Sequence, residues 1–251
     1  MIGTTDLVAH PPTPWRGILT SVHVWALAVA CFANSWGFIT LAACLPLFMH
    51  DILGLNLTWN GALSSVPFVS GFVVMPAAGL FADWLRSPGR LSTNVVRKIF
   101  YVAGCILGSG FFILTRYAGC NRALVVASIS VASVSLSLSF TTVAVNQLDL
   151  APLHAGKIMG LTYTIGNLGS IAAPHAVNAL ISRHSTSSEW QNVFFLVAAV
   201  YAVGSLIFVV FGSGERQRWA DDTDRTKLTV TLDRNNERIN AEEVTDEQYA
   251  N

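Results

Sequence analysis

The sequence predicts an all-α membrane protein with six transmembrane helices, and three observations carry that expectation. The 251 residues are 52% hydrophobic and 12% charged, against roughly 25% charged residues in soluble domains. Residues 1–214 hold only nine Arg/Lys and five Asp/Glu, too few to cover a soluble surface. The apolar residues also fall into six long runs, each stopping at charges, as helices leaving a bilayer do.

The runs take the chain in order. Residues 1–21 form a polar leading segment, expected as a cytoplasmic loop; Pro11, Pro12 and Pro14 oppose helix there. It lacks the pattern of a signal peptide. Span one is Val22–Phe48, long enough to cross a core of ~30 Å with tilt. The loop 49–60 carries Asp51 and no Lys or Arg, so it is expected outside, where Asn56-Leu-Thr58 forms a glycosylation sequon. Span two is Gly61–Ala82; its Pro67 and Pro76 are tolerable because neighbouring helices re-satisfy the freed carbonyls. Span three, Ile99–Thr115, contains Gly104-x-x-x-Gly108, which lets another backbone approach closely.

Span four, Ala123–Leu148, alternates polar and apolar over Val131–Phe140. A lone strand would leave its backbone unpaired in lipid, so a helix is expected. As a helix it aligns Ser130, Ser133, Ser137 and Thr141 on one face. Those hydroxyls are either bonds to neighbouring helices or the lining of a pore. Span five is Ile158–Ile181 and span six Val193–Phe211. Residues 22–211 thus form the bundle. Residues 212–251 hold six Arg/Lys and ten Asp/Glu from Glu215 onward, the composition of a polar, disordered cytoplasmic tail.

Arg/Lys placement sets the expected orientation. Arg16, Arg86, Arg90, Arg97, Lys98, Lys157, Arg216 and Arg218 flank one side, and Arg116, Arg122 and Arg183 the other. Both termini are therefore expected in the cytoplasm. No basic patch interleaved with aromatics points to nucleic acid. Cys31, Cys44 and Cys105 lie in apolar spans and Cys120 in a loop, and neither they nor His23, His154 and His175 show metal-ligand spacing. No nucleophile–base pair, HExxH or carboxylate pair points to an enzyme.

Candidate functional residues fall in three places. Asn34 lies within span one, where an unpaired amide is costly, with Trp36 and Phe38 beside it. Gly79-x-x-x-Asp83-x-x-Arg86, followed by Gly89-Arg90, closes span two; the helix dipole disfavours an anion at Asp83, and Arg86 at i+3 can offset it. Asn146 and Asp149 close span four, where Asp149-x-x-Pro152 suits a turn or a helix cap.

Several motifs stand in a fixed order. They are Pro14-Trp15-Arg16, Asn34-Ser-Trp36-Gly-Phe38, Leu45-Pro46, Ala82-Asp-Trp-Leu-Arg-Ser87, Val96-Arg-Lys98, Asn146-Gln-Leu-Asp149-Leu-Ala-Pro152 and Glu189-Trp-Gln-Asn-Val-Phe194. In this order they resemble the anion:cation symporter family of the major facilitator superfamily, which contains sialin, the vesicular glutamate transporters and the sodium–phosphate cotransporters. The similarity covers roughly residues 14–220 and is to the C-terminal half of such transporters.

The resemblance implies one half of a twelve-helix fold. It implies secondary transport of an organic or inorganic anion coupled to Na⁺ or H⁺, with no other cofactor. The implied partners are membrane lipid, a small anionic substrate and the missing N-terminal half. The implied location is a plasma membrane or a lysosomal or vesicular membrane. The Gly79–Arg90 stretch becomes a gating loop, with Asp83 capping a helix of the opposite half, and Asn34, Trp36 and Phe38 border the substrate pathway. Asn34 stands where glutamate-transporting members carry arginine, and Ile39 where tyrosine is common, which makes glutamate a less fitting substrate. The alternative expectation is a half-length membrane protein that pairs with a full transporter and regulates it.

Overall fold

The computed structural model describes residues 13–51, 54, 56–87, 91–118, 121–181 and 186–220. Eight α-helices account for most of them: α1 Trp15–Thr20, α2 Val22–Ile39, α3 Leu45–Asp51, α4 Leu57–Leu85, α5 Thr93–Leu114, α6 Arg122–Leu150, α7 Ala155–Leu180 and α8 Ser187–Phe211. A π-helical stretch, Thr40–Cys44, joins α2 to α3, so span one runs unbroken through Pro46 as far as Asp51. Among the described residues, five helical stretches are long and apolar enough to cross a membrane: Val22–His50, Thr58–Leu85, Thr93–Leu114, Ala123–Leu150 and Ser188–Phe211. The sixth helix, α7, has 26 residues, about 39 Å, but Lys157, Asn167, Ser170, His175 and Asn178 dilute its apolar character.

Helix ends lie outside the expected spans because side chains cap them. Asn56 Oδ1 accepts from Trp59 N–H, which starts α4 at Leu57. The sequon asparagine therefore spends its carbonyl on the helix. Ser92 caps α5 in the same way, so Arg97 and Lys98 belong to a helix rather than to a loop. Thr186 and Glu189 form a capping box ahead of α8. The leading segment is likewise more than loop: Ile18 on α1 is fully buried, and Trp25 Nε1–H donates to the Leu19 carbonyl. Residues 1–12 lie outside the described set.

Packing pairs α2 with α7 and α8, α6 with α4 and α5, and α5 with α8, with a lighter seam between α2 and α6. Exchanging α2, α4 and α5 for α6, α7 and α8 maps these pairs onto themselves, the mark of an internal repeat of the kind built into many transporters. Glycines set the closest approaches. A Cβ at Gly104 would lie 2.6 Å from the Ser135 carbonyl oxygen and 2.9 Å from Ser139 N on α6; one at Gly108 would meet Leu136 at 2.7 Å. The Gly104-x-x-x-Gly108 face is thus where α5 and α6 touch. Aromatics fill the remaining core, with Tyr101 and Phe208 ring centroids 4.5 Å apart and Phe48 against Trp190 at 5.3 Å.

The tail reading needs correction over residues 212–220. Gln217 N–H donates to the Leu150 carbonyl, Gly214 N–H to Asn94 Oδ1, and Trp219 covers Gly17 of α1. Ala220 is buried. This strap ties the ends of α1, α5 and α6 together. The rest of the tail expected to be disordered, residues 221–251, lies outside the described set.

Candidate functional site

A cavity and a chain of charges make up the site. The cavity, about 460 Å³, opens between α2, α4 and α6, with Tyr201 of α8 at its back. Its α4 lining (Phe68, Gly71, Phe72, Met75) and its α6 lining (Ser133, Leu136, Ser137, Phe140) fall at the middle of those 29-residue helices. Gly37 makes room for Tyr201: a Cβ there would lie 2.2 Å from the tyrosine oxygen. Gly71 does the same for Ser137, at 2.7 Å.

Asn34 and Phe38 line this cavity. Asn34 is buried, and neither of its amide atoms has a hydrogen-bond partner; an unpaired amide in such a place costs several kcal/mol. Phe38 is exposed, edge-on to Phe68 at 6.0 Å between centroids. Trp36 is not part of the cavity. A turn that carries residues 34 and 38 to one face carries 36 to the other, and Trp36 is buried against Phe32. The serine face divides its work. Ser133 Oγ–H donates across to the Pro67 carbonyl of α4, while Ser130, Ser137 and Thr141 bond back into their own helix. Ser133 and Ser137 also border the cavity.

The charges gather at the end of the bundle where α4 and α6 finish and α5 begins. Arg97 Nε–H donates to Asp149 Oδ2 at 2.8 Å, and both side chains are largely covered, 4% and 16% exposed. Arg86 sits between two carboxylates, 3.8 Å from Asp149 and 3.5 Å from Asp83. The order is Arg97–Asp149–Arg86–Asp83, running from interior to surface, with Asp83 69% exposed.

Three expectations change here. The gating stretch starts inside the helix: Gly79 lies in α4 as span two placed it, and α4 runs past the expected end at Ala82 to Leu85, taking in Asp83. Asp149 caps nothing: the short 3₁₀ turn Pro152–His154 has Ala151 at its N-cap without a side-chain bond. The carboxylate instead answers Arg97, a partner 52 residues away. Asn146 is fully buried inside α6, its amide unpartnered, rather than closing the helix. Arg90 lies outside the described residues.

Among the described residues no group of His, Cys, Asp or Glu could hold a metal ion. His154, in the turn between α6 and α7, is buried, and its pKa lies below the ordinary histidine value, first through burial and then through the charge of Lys157. Sequence reasoning missed Arg97, Phe68, Phe72, Met75 and Tyr201. The first was read as a loop charge. The others are apolar or aromatic residues in apolar runs, which carry no signal of the face they occupy.

Residues 3–174 match the sequence profile of the Major Facilitator Superfamily. The chain belongs to that superfamily. Its curated relatives include an uncharacterized transporter, slc-17.2, of Caenorhabditis elegans, 40% identical over 84% of this chain and 43% of that protein. Human sialin is 35% identical over 86% of this chain and 43% of its own length. Vesicular glutamate transporter 3 of Danio rerio is 34% identical over 83% of this chain and 35% of its own. The chain therefore spans less than half the length of these relatives. Six packed helices with an internal three-plus-three repeat are what one half of this fold contains.

Proposed function

We propose that the chain serves as one six-helix half of a secondary active transporter that moves an organic or inorganic anion coupled to Na⁺ or H⁺. The cavity is the observation that carries the proposal: it lies at mid-length of α4 and α6, hence at the bilayer midplane if those helices span, and it is open rather than enclosed. Substrate sites of such transporters lie between two halves at that depth. The likeness to sialin and a vesicular glutamate transporter supports the anion class.

On this reading the exposed Asp83 is the outward link of the charge chain, free to meet a helix terminus of a second half. Arg97–Asp149–Arg86 holds it in place and makes it part of a gate. Both termini lie in the cytoplasm, in a plasma, lysosomal or vesicular membrane. Thiols introduced by Asn56→Cys and Gly89→Cys test the orientation: an impermeant reagent applied from outside labels the first and not the second, and the reverse pattern overturns it.

Alternating access needs one half to rock against another. The 251-residue chain reconstituted by itself in liposomes with an imposed Na⁺ or H⁺ gradient is expected to give no uptake, and co-reconstitution with a complementary six-helix half to give saturable anion uptake. Saturable, gradient-driven uptake by the chain alone overturns the half-transporter reading.

A further inference from the structure

We infer that the cavity wall supplied by this chain receives the uncharged, apolar body of an organic anion, and that inorganic phosphate is not its ligand. The inference rests on the transport reading of the same cavity and narrows its substrate class.

The lining carries the argument. Four phenylalanines (Phe38, Phe68, Phe72 and Phe140) surround the space, and none of the twelve lining residues is charged. The two serine hydroxyl protons are already used: Ser133 donates to the Pro67 carbonyl and Ser137 to the Ser133 carbonyl. What those hydroxyls still offer is lone pairs, which repel an anion. Asn34 is the one lining amide. It is nine-tenths buried with both polar atoms unpartnered and covered, so it reaches a ligand by turning into the cavity. It offers a hydrogen bond and no charge.

Charge lies elsewhere. Asp83 is eight residues beyond Met75 on α4, about 12 Å along the helix axis, and among the described residues Arg86 and Arg97 at that end are committed to carboxylates. A phosphate dianion in this cavity would lose its hydration against aromatic rings with no cation to answer it, a cost that buried ions meet only through paired charges. A ring or branched chain loses nothing on entering, and 460 Å³ is the size of a small-molecule pocket. The carboxylate of such a substrate then projects out of this wall, toward whatever covers the open side.

The test uses the purified chain in lipid nanodiscs and four probes: 2-naphthoate, the neutral 2-naphthamide, unsubstituted naphthalene and inorganic phosphate, with binding measured by equilibrium dialysis. Naphthamide is expected to bind at least as tightly as naphthoate. Phosphate at millimolar concentration should neither bind nor compete. Phe72→Asn, at an exposed position that tolerates a polar residue, should weaken both aromatic probes at least tenfold. Asn34→Leu should weaken naphthamide while sparing an unsubstituted naphthalene.

Phosphate binding that Phe72→Asn or Asn34→Leu abolishes overturns the inference. So does aromatic binding that neither variant changes, because the probes would then sit in lipid or elsewhere on the protein. The outcome is separable from the transport reading. Phosphate uptake by an assembled transporter with no aromatic binding refutes only the inference, and aromatic binding without uptake by any assembly refutes only the transport role.

Discussion

Asp149→Asn is the sharpest test of the charge chain. The Arg97 guanidinium is 4% exposed and meets Asp149 at 2.8 Å. Removing one partner of a covered pair strands the other charge, at a cost of about 3–5 kcal/mol. Asparagine keeps an oxygen that can still accept the Nε–H bond, which recovers about 1 kcal/mol. Arg86 contributes little to the balance, since it stands 3.8 Å from Asp149 and is 30% exposed. The net loss is about 3 kcal/mol. For a chain of this size 1 kcal/mol moves the unfolding midpoint by about 2–4 °C, so Asp149→Asn should melt about 6–12 °C below the wild-type chain in matched micelles. Adding Arg97→Met removes the stranded charge and should recover most of the loss, because an apolar pair of similar volume commonly equals a buried ion pair. A single variant that melts within about 2 °C of wild type refutes the reasoning. A double variant no more stable than the single one does so too, since the cost would then not be a stranded charge.

Three further outcomes follow from the packing and exposure of single residues. Asp83→Asn should change the midpoint of the chain alone by no more than about 2 °C, because its partner lies 3.5 Å away and the carboxylate is 69% exposed; a large drop would place Asp83 in the fold rather than at its surface. Gly104→Val should lower expression and the midpoint sharply, since its side chain meets α6 backbone at 2.6 and 2.9 Å, whereas Gly110→Ala, which faces open space, should change neither; equal behaviour of the two sinks the helix-contact argument. His154 is buried, with its pKa held below the ordinary value by burial first and by Lys157 second. The folded state thus favours neutral imidazole, so its contribution is complete above the usual histidine pKa and is lost as pH falls through the lowered one. Midpoints measured from pH 7.5 down to 5 should fall more steeply for wild type than for His154→Gln, and parallel curves would dismiss the residue as a titrating group.

How much of this was legible in the sequence depended on range. The helices were legible because an apolar run ending at charges has one solution in a bilayer, and even the strand-like alternation of Val131–Phe140 resolves to a helix on that ground. The contact face of Gly104 and Gly108 was legible because small residues four apart share a face. Helix starts were misplaced where a cap such as Asn56 or Ser92 precedes polar residues that still belong to the helix. Arg97 and Asp149 were read separately, one as a loop charge and one as a cap, because local sequence holds no record of a pairing across 52 residues. The cavity was half legible. Asn34 announced itself as a polar residue in an apolar run, while Phe72 and Met75 look the same whether they face lipid, protein or substrate.

The internal repeat explains why the cavity stands where it does. Under the exchange that maps the bundle onto itself, α4 against α6 corresponds to α7 against α2. These two seams are not closed alike. On α7, a Cβ at Gly166 would meet Cys31 backbone carbon at 3.1 Å, and one at Gly169 would lie 2.5 Å from the Phe32 carbonyl oxygen and 3.3 Å from Trp36 N. Two glycines one turn apart thus seat α7 directly on the backbone of α2. On α4 only Gly71 approaches α6, and it meets the Ser137 side chain at 2.7 Å, the nearest backbone atom being 3.9 Å away, while Gly61 and Gly79 face open space. Phenylalanines and a methionine line the α4 side of this looser seam. A repeat closed equally on both sides would have no room at mid-length. The looser seam leaves the 460 Å³ space beside Asn34, and it does so next to the helix that carries Asp83. Movement of α4 relative to α6 would therefore change the cavity and the exposed carboxylate together, which is the coupling that a gated substrate site requires.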